Sequence, residues 1–385
     1  MKIQTINKIA ACGLERLPAN FEVADQMDAP DAILVRSAAM HEMVFPESLL
    51  AIGRAGAGVN NIPIDRCTSQ GIVVFNTPGA NANAVKELVL AGLFLASRKV
   101  VQGINWVQGI KENGETVAKD VEKGKSAFVG PEIKGKKLGI IGLGAIGVLV
   151  ANAAQELGMQ VYGYDPYLSV DAAWRLSQFV KHAASAEEIY AECDYITIHV
   201  PQNDATKGMI NKNTIAQMKD GVRILNFARA GLVNTADMKE ALAEGKVACY
   251  VVDFPEADVL GVENIVAIPH LGASTPESED NCACMACDEI ADYLLNGNIT
   301  HSVNFPDVVA PRTAQTRICV LHQNIPAILS RASDIVASRG INIDQMTSRS
   351  RKENSYALLD VQGAVSEELL QEIAAIEGVY RVRAV

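Results

Sequence analysis

The chain has 385 residues, more than one hydrophobic core usually serves, so two or three domains are expected. A formal net charge of −11 argues against nucleic acid or an anionic membrane as the main partner. An anionic small molecule stays open to it only where arginines locally reverse the field.

The N-terminus lacks a signal peptide's apolar core, because Lys8 and Glu15 interrupt it. Over the first eighty residues short apolar runs alternate with polar helical pieces. Ala32–Val35 and Gly71–Phe75 read as buried parallel strands. From about Ala82 to Val101, Val85, Leu88, Val89, Gly92 and Leu95 recur at helical spacing. The charged stretch Lys111 to Lys125 reads as surface.

From Lys137 onward βα alternation predicts an open parallel sheet, with strands at Leu138–Ile141, Gln160–Tyr164, Tyr195–His199, Val222–Asn226, Ala248–Val252 and Asn264–Ala267. The uncharged run Leu138 to Gln155 nearly reaches membrane-spanning length, but three glycines near its start make strand, turn and helix the better reading. Thr275–Asn296 reads as one more helix. Its Cys282, Cys284 and Cys287 have no neighbouring His to complete a zinc set, so no metal is expected and the eight cysteines fit a reducing cytoplasm. Phe305–Gln315, with two prolines and no periodicity, reads as a linker. Beyond it the order is strand (Arg317–Leu321), helix (Ile325–Ser338), strand (Ile341–Arg349), strand (Tyr356–Val361), helix (Glu367–Ala375) and strand (Tyr380–Val385), the βαββαβ order of a ferredoxin-like module.

Gly142-Leu143-Gly144-Ala145-Ile146-Gly147 follows a strand and opens an Ala-rich helix, the context a dinucleotide-binding turn requires. Its first glycine permits the tight turn, the second admits a pyrophosphate, and the third packs helix on strand. Asp165 ends the next strand, 18 residues past Gly147, where a carboxylate accepts from a ribose 2′-hydroxyl and repels a 2′-phosphate. NAD is therefore the expected cofactor. Pro201, Thr206, Phe227, Ala228, Asp253 and Gly272 are the further expected cofactor contacts.

Oxidising a hydroxy acid also needs a base for the hydroxyl proton, a cation for the carboxylate and a group that tunes the base. Arg229 follows one strand and offers a bidentate fork. His270 follows another, and an imidazole accepts a proton near neutrality. Glu256 lies shortly after Tyr250–Asp253, and a carboxylate beside a histidine stabilises its charged form.

GLGAIG, Asp165, NFARAGLV and PHLGAST, in this order and spacing, resemble the D-isomer-specific 2-hydroxyacid dehydrogenase family over residues 30–305. That resemblance implies Arg229 as carboxylate anchor, Glu256 as the acidic partner and His270 as general base. One departure stands out: the family commonly reads D-V-F-x-x-E-P, whereas this chain reads Asp253-Phe254-Pro255-Glu256-Ala257-Asp258, so Asp258 competes with Glu256. Arg36-Ser37, Arg54 within GRAGAGVNN, and Asn81 resemble the substrate loops of the members that act on 3-phosphoglycerate. They imply Arg36, Ser37, Arg54 and Asn81 as contacts to a phosphorylated, 3-phosphoglycerate-like acid.

The C-terminal module resembles an ACT domain. The likeness implies L-serine binding by His322, Asn324 and Asn342 and a homodimer or homotetramer, although Ala327 stands where such domains usually have Gly. Pro326 suits the first helical position.

The expected architecture is α/β: two Rossmann-like doubly wound parallel-sheet domains plus a C-terminal ferredoxin-like (ACT) α+β domain. Residues 1–88 with 272–304 would bind substrate, 89–271 NAD, and 305–385 would regulate. The implied reaction is NAD-dependent oxidation of 3-phospho-D-glycerate to 3-phosphohydroxypyruvate, the first step of phosphorylated serine biosynthesis. The alternatives are another D-2-hydroxyacid dehydrogenase, such as one acting on glyoxylate or hydroxypyruvate, or a NAD-sensing corepressor-like binding protein.

Overall fold

Runs of consecutive apolar residues four to six long suit strands buried on both faces, as in a parallel sheet covered by helices. In a computed structural model describing residues 1–385, such runs form two parallel sheets. The chain divides into two units, residues 1–81 with 276–385 and residues 82–275.

The first unit holds β1 (Lys2–Ile6), β2 (Glu22–Ala24), β3 (Ala32–Val35), β4 (Ala51–Arg54) and β5 (Val73–Asn76), parallel and ordered β2-β1-β3-β4-β5. Of these, β1, β2 and β4 are too short or too interrupted to stand out by periodicity.

The second unit holds β6 (Lys137–Ile141), β7 (Gln160–Tyr164), β8 (Lys181–His182), β9 (Tyr195–Ile198), β10 (Val222–Asn226), β11 (Val247–Val252) and β12 (Ile265–Ala267). Their order β12-β11-β10-β9-β6-β7-β8 reverses direction between β6 and β9. In such sheets ligands bind beyond the carboxyl ends at this switch point. The helix expected through Val101 stops at Ser97, where Lys99 leaves helical geometry (ψ 51°), and a second helix runs Val100–Gly109. The charged stretch that follows is exposed, and Val117–Gly124 within it is helical.

Returning to the first unit, the helix Pro276–Asn296 packs Cys282, Ala286, Ile290 and Tyr293 against the five-stranded sheet. Then β13 (Thr316–Gln323), β14 (Ile343–Arg351), β15 (Asn354–Val361) and β16 (Val379–Ala384) form an antiparallel sheet ordered β14-β15-β13-β16, covered by helices Ile328–Ser338 and Glu367–Ala374.

Two local expectations are corrected. The presumed linker is not a free tether, because Phe305, Val308 and Ala310 are buried in one cluster with Tyr293, Cys319 and Tyr356. The helix after Pro326 begins only at Ile328, because Ala327 adopts a left-handed φ of 71°. Pro326 therefore precedes the helix cap. No helix is long and apolar enough to cross a membrane.

Candidate active site

The glycine turn leaves β6 with Gly142 at φ 96°, and an added Cβ there would sit 2.6 Å from the His199 carbonyl oxygen. An added Cβ on Gly147 would collide with the Gly142 carbonyl, so helix and strand approach as closely as backbones allow. Nothing lies within 4 Å of a Cβ built on Gly144, and no side chain caps the helix Ala145–Glu156. Its first-turn N–H groups and dipole thus face open space suited to phosphates. Asp165 braces the turn, accepting from Leu143 N at 2.8 Å through Oδ2 and from Tyr167 N at 2.8 Å through Oδ1. Each oxygen keeps a further lone pair for a ribose hydroxyl. The residues present therefore fit a dinucleotide.

After β9, Thr206 Oγ1 donates to the Pro201 carbonyl at 2.6 Å, and Asn203 Oδ1 caps the same loop. Sequence reasoning passed over His199, at the end of β9. Burial pushes its pKa down to about 4, Nε2 meets Thr197 Oγ1 at 3.0 Å, and Nδ1 is buried without a partner. Its position at a strand end was the available signal.

Buried Asn226 ends β10 and shapes the next turn, receiving Ala228 N at 3.2 Å and donating to the Arg229 carbonyl at 2.9 Å. Phe227 is buried against Gly92, where even one methyl group would come within 2.7 Å of the ring. Arg229 is thereby presented outward, its guanidinium 5.5 Å from the centroid of Phe254. The Phe254 ring in turn lies 4.4 Å from the His270 ring.

His270 is exposed and left-handed, at φ 53°. A non-glycine residue holds that conformation only when its surroundings impose it. Asp253 does so: its carboxylate accepts from Leu271 N at 2.7 Å and Gly272 N at 2.8 Å, clamping the residues next to His270. Burial raises the Asp253 pKa more than the two N–H groups and nearby His270 lower it. Glu256 and Asp258 are exposed on the following turn, and neither is hydrogen-bonded to His270. Asp253 is the carboxylate placed electrostatically beside the ring.

In the first unit, parallel pairing of β3 with β4 sets Val35 opposite Arg54 and brings the two arginine-bearing ends together. Arg54 Nε donates to the Arg36 carbonyl at 3.1 Å. Arg36 pairs with Glu279 at 2.7 Å, both side chains partly exposed. Ser37 N donates to Asn7 Oδ1 at 3.1 Å, and half-buried Asn81 follows the turn after β5.

In the C-terminal sheet His322 is buried. Burial lowers its pKa, Nδ1 donates to the Gln323 carbonyl at 2.7 Å, and Nε2 lacks a partner. Asn324 donates to the Lys352 carbonyl at 3.1 Å. Asn342 is exposed and bonds Asp344 at 2.9 Å, with no hydrogen bond to His322 or Asn324.

Residues 90–272 match the family model described as D-isomer specific 2-hydroxyacid dehydrogenase, NAD binding domain, and residues 318–381 match the AHAS small subunit-like ACT domain. The D-3-phosphoglycerate dehydrogenase of Haemophilus influenzae is 32% identical over 350 residues, covering 87% of this chain and 81% of that protein. The Bacillus subtilis enzyme of the same name is 35% identical over 305 residues, covering 77% of this chain, which spans 55% of that longer relative. Among solved structures, NAD+-bound 3-phosphoglycerate dehydrogenase from Entamoeba histolytica superposes with a TM-score of 0.61 at 28% identity, covering 79% of this chain and 98% of that one.

Proposed function

Because the chain belongs to the D-isomer-specific 2-hydroxyacid dehydrogenase family, we propose that it oxidises 3-phospho-D-glycerate to 3-phosphohydroxypyruvate. The observation that carries this reading is the placement of Asp165, Arg229 and His270 just past β7, β10 and β12, at the carboxyl edge of one parallel sheet. The phosphorylated substrate is supported by the named relatives.

NAD, when bound, supplies the hydride acceptor, held by the glycine turn and Asp165. His270 takes the proton of the substrate hydroxyl as C2 becomes a carbonyl. Arg229 holds the carboxylate through its fork, which fixes the C2–H bond in one direction. Arg36 exchanges Glu279 for the substrate phosphate, assisted by Arg54, with Ser37 and Asn81 as further contacts. Asp253 positions His270 through the next two amides, and Glu256 supplies the acidic partner by turning toward the ring.

The C-terminal module binds L-serine through His322, Asn324 and Asn342, and the enzyme works in the cytoplasm as a homodimer or homotetramer. The partly exposed apolar row Phe94, Val101, Ile104 and Val107 on helices Ala82–Ser97 and Val100–Gly109 supports self-association.

The test is spectrophotometric NAD reduction with 3-phosphoglycerate, D-glycerate and D-lactate, each with and without L-serine. Strong preference for the phosphorylated acid, lost in Arg54→Glu, is the expected result. Turnover of only the unphosphorylated acids would overturn the substrate assignment, and turnover of none would overturn the reaction.

A further inference from the structure

We propose that the first unit carries a second anion site: a pocket walled by Arg349 and Arg351 on one side and by Asn76, His301 and Ser302 on the other, which takes the phosphate group of a small molecule. The pocket measures about 520 Å³. It does not depend on the reaction proposed above.

Three donor groups line it. Arg349 and Arg351 are two apart on β14, the edge strand of its sheet, so their side chains leave the same face. Arg351 is anchored by Nη1, which donates to the Ser302 carbonyl at 2.6 Å, and its remaining N–H groups stay available. The Arg349 side chain makes no hydrogen bond or ion pair within the chain.

The third donor is His301, held at a left-handed φ of 56°. Its Nδ1 lies 2.7 Å from Oε1 of buried Glu289. Burial, then the charges of Asp307 and Asp288, push that carboxyl up to about 9. At neutral pH Glu289 therefore keeps its proton and donates it to Nδ1, which leaves the ring's own proton on Nε2. With Nδ1 engaged by Glu289, Nε2 is the ring nitrogen left for a ligand.

Two guanidinium forks and an imidazole N–H, arriving from different elements, suit an anion with several oxygens in three dimensions better than a planar carboxylate. Asp307 is the only carboxylate among the lining residues, in a chain whose net charge is −11. Such a local reversal of field is where an acidic protein admits an anion.

The surroundings give a ligand here mechanical reach. Ser350, between the two arginines, donates to Asn324 Oδ1 at 3.2 Å, on the loop assigned above to serine. Asn76, on the opposite wall, donates to the Ala57 carbonyl at 2.6 Å, within the glycine-rich loop that carries Arg54.

The test is calorimetric titration of the full chain with inorganic phosphate and, separately, with glycerol 3-phosphate, in phosphate-free buffer at constant ionic strength. Wild type, Arg349→Gln and Arg54→Glu are compared. Arg349 has no partner in the chain, so its replacement leaves the fold intact. The expected result is a binding isotherm that Arg349→Gln weakens about tenfold and Arg54→Glu preserves; the probe that binds tells free phosphate from a phosphomonoester. The site is refuted if neither probe binds, if Arg349→Gln titrates like wild type, or if Arg54→Glu alone abolishes all binding. The last result would place the anion in the substrate loops and leave the proposed reaction untouched, whereas loss of substrate preference alone would leave this site standing.

Discussion

Replacing Arg317 by Met should destabilise the first unit by about 3–5 kcal/mol, the range for removing one partner of a buried ion pair. The Arg317 side chain is 1% exposed and that of Asp360 2%, so solvent screens neither charge. Arg317 donates to Asp360 at 2.6 and 2.9 Å, to the Asn296 and Ala310 carbonyls at 2.9 and 3.0 Å, and to the Pro311 carbonyl at 3.0 Å. One side chain thus joins β13 and β15 to the end of the helix Pro276–Asn296 and to the buried connection after it. Methionine of similar length would leave the Asp360 carboxylate with only Thr313 N and Oγ1, at 2.9 and 3.1 Å, and three carbonyls unpaired. The double variant Arg317→Met, Asp360→Leu removes both charges and should recover part of that loss, the remainder being the Asn296, Ala310 and Pro311 carbonyls that stay unpaired. Urea unfolding followed by far-ultraviolet circular dichroism, with hydrogen exchange at β13 and β15, measures both variants. Trp106 and Trp174 lie in the other unit, so their fluorescence serves as an internal control. A single-variant loss below about 1 kcal/mol, or a double variant no more stable than the single, would refute the reasoning. Acid titration offers a second check. Burial pushes the Asp360 carboxyl up, but its bonds to Arg317 and Thr313 and the guanidinium charge outweigh that and hold it below the usual value. The pair is therefore fully stabilising at neutral pH, and its contribution fades as pH falls below about 4 through the depressed folded value.

His270→Ala should lower kcat about 10²–10⁴-fold while leaving NAD affinity nearly unchanged; stopped-flow turnover beside equilibrium NADH titration decides, and equal loss of both would remove His270 from proton transfer. Asp165→Ala removes the acceptor of Leu143 N and the carboxylate proposed for the ribose, so NAD binding should weaken about 10–100-fold while discrimination against NADP relaxes. An unchanged NAD to NADP ratio would show that Asp165 only braces the turn. Ala327→Gly relieves the left-handed φ of 71° and should raise stability by about 0.5–1 kcal/mol, net of glycine's greater freedom when unfolded. A melting temperature that falls in that variant would mean the methyl group packs usefully.

What the sequence alone determined is whatever repeats locally or sits within a few residues of its cause. The glycine turn with its strand, helix and Asp165 was legible because all its requirements lie within a short βα unit. The βαββαβ order of the last eighty residues was legible for the same reason, through periodicity that switches between two and 3.6. Arg229 and His270 could be placed at strand ends from their spacing. Only the tertiary structure decided which groups those side chains meet. Asp253, 17 residues before His270, clamps the amides beside it, while nearer Glu256 and Asp258 make no bond to the ring. Arg36 finds Glu279 some 240 residues on, and Phe305, Val308 and Ala310 enter a core that no period in their own segment announces. The difference is physical: backbone preference and one-sided burial leave a periodic trace along the chain. A hydrogen bond or ion pair between distant segments depends only on where folding brings two side chains, and many pairings satisfy the same local pattern.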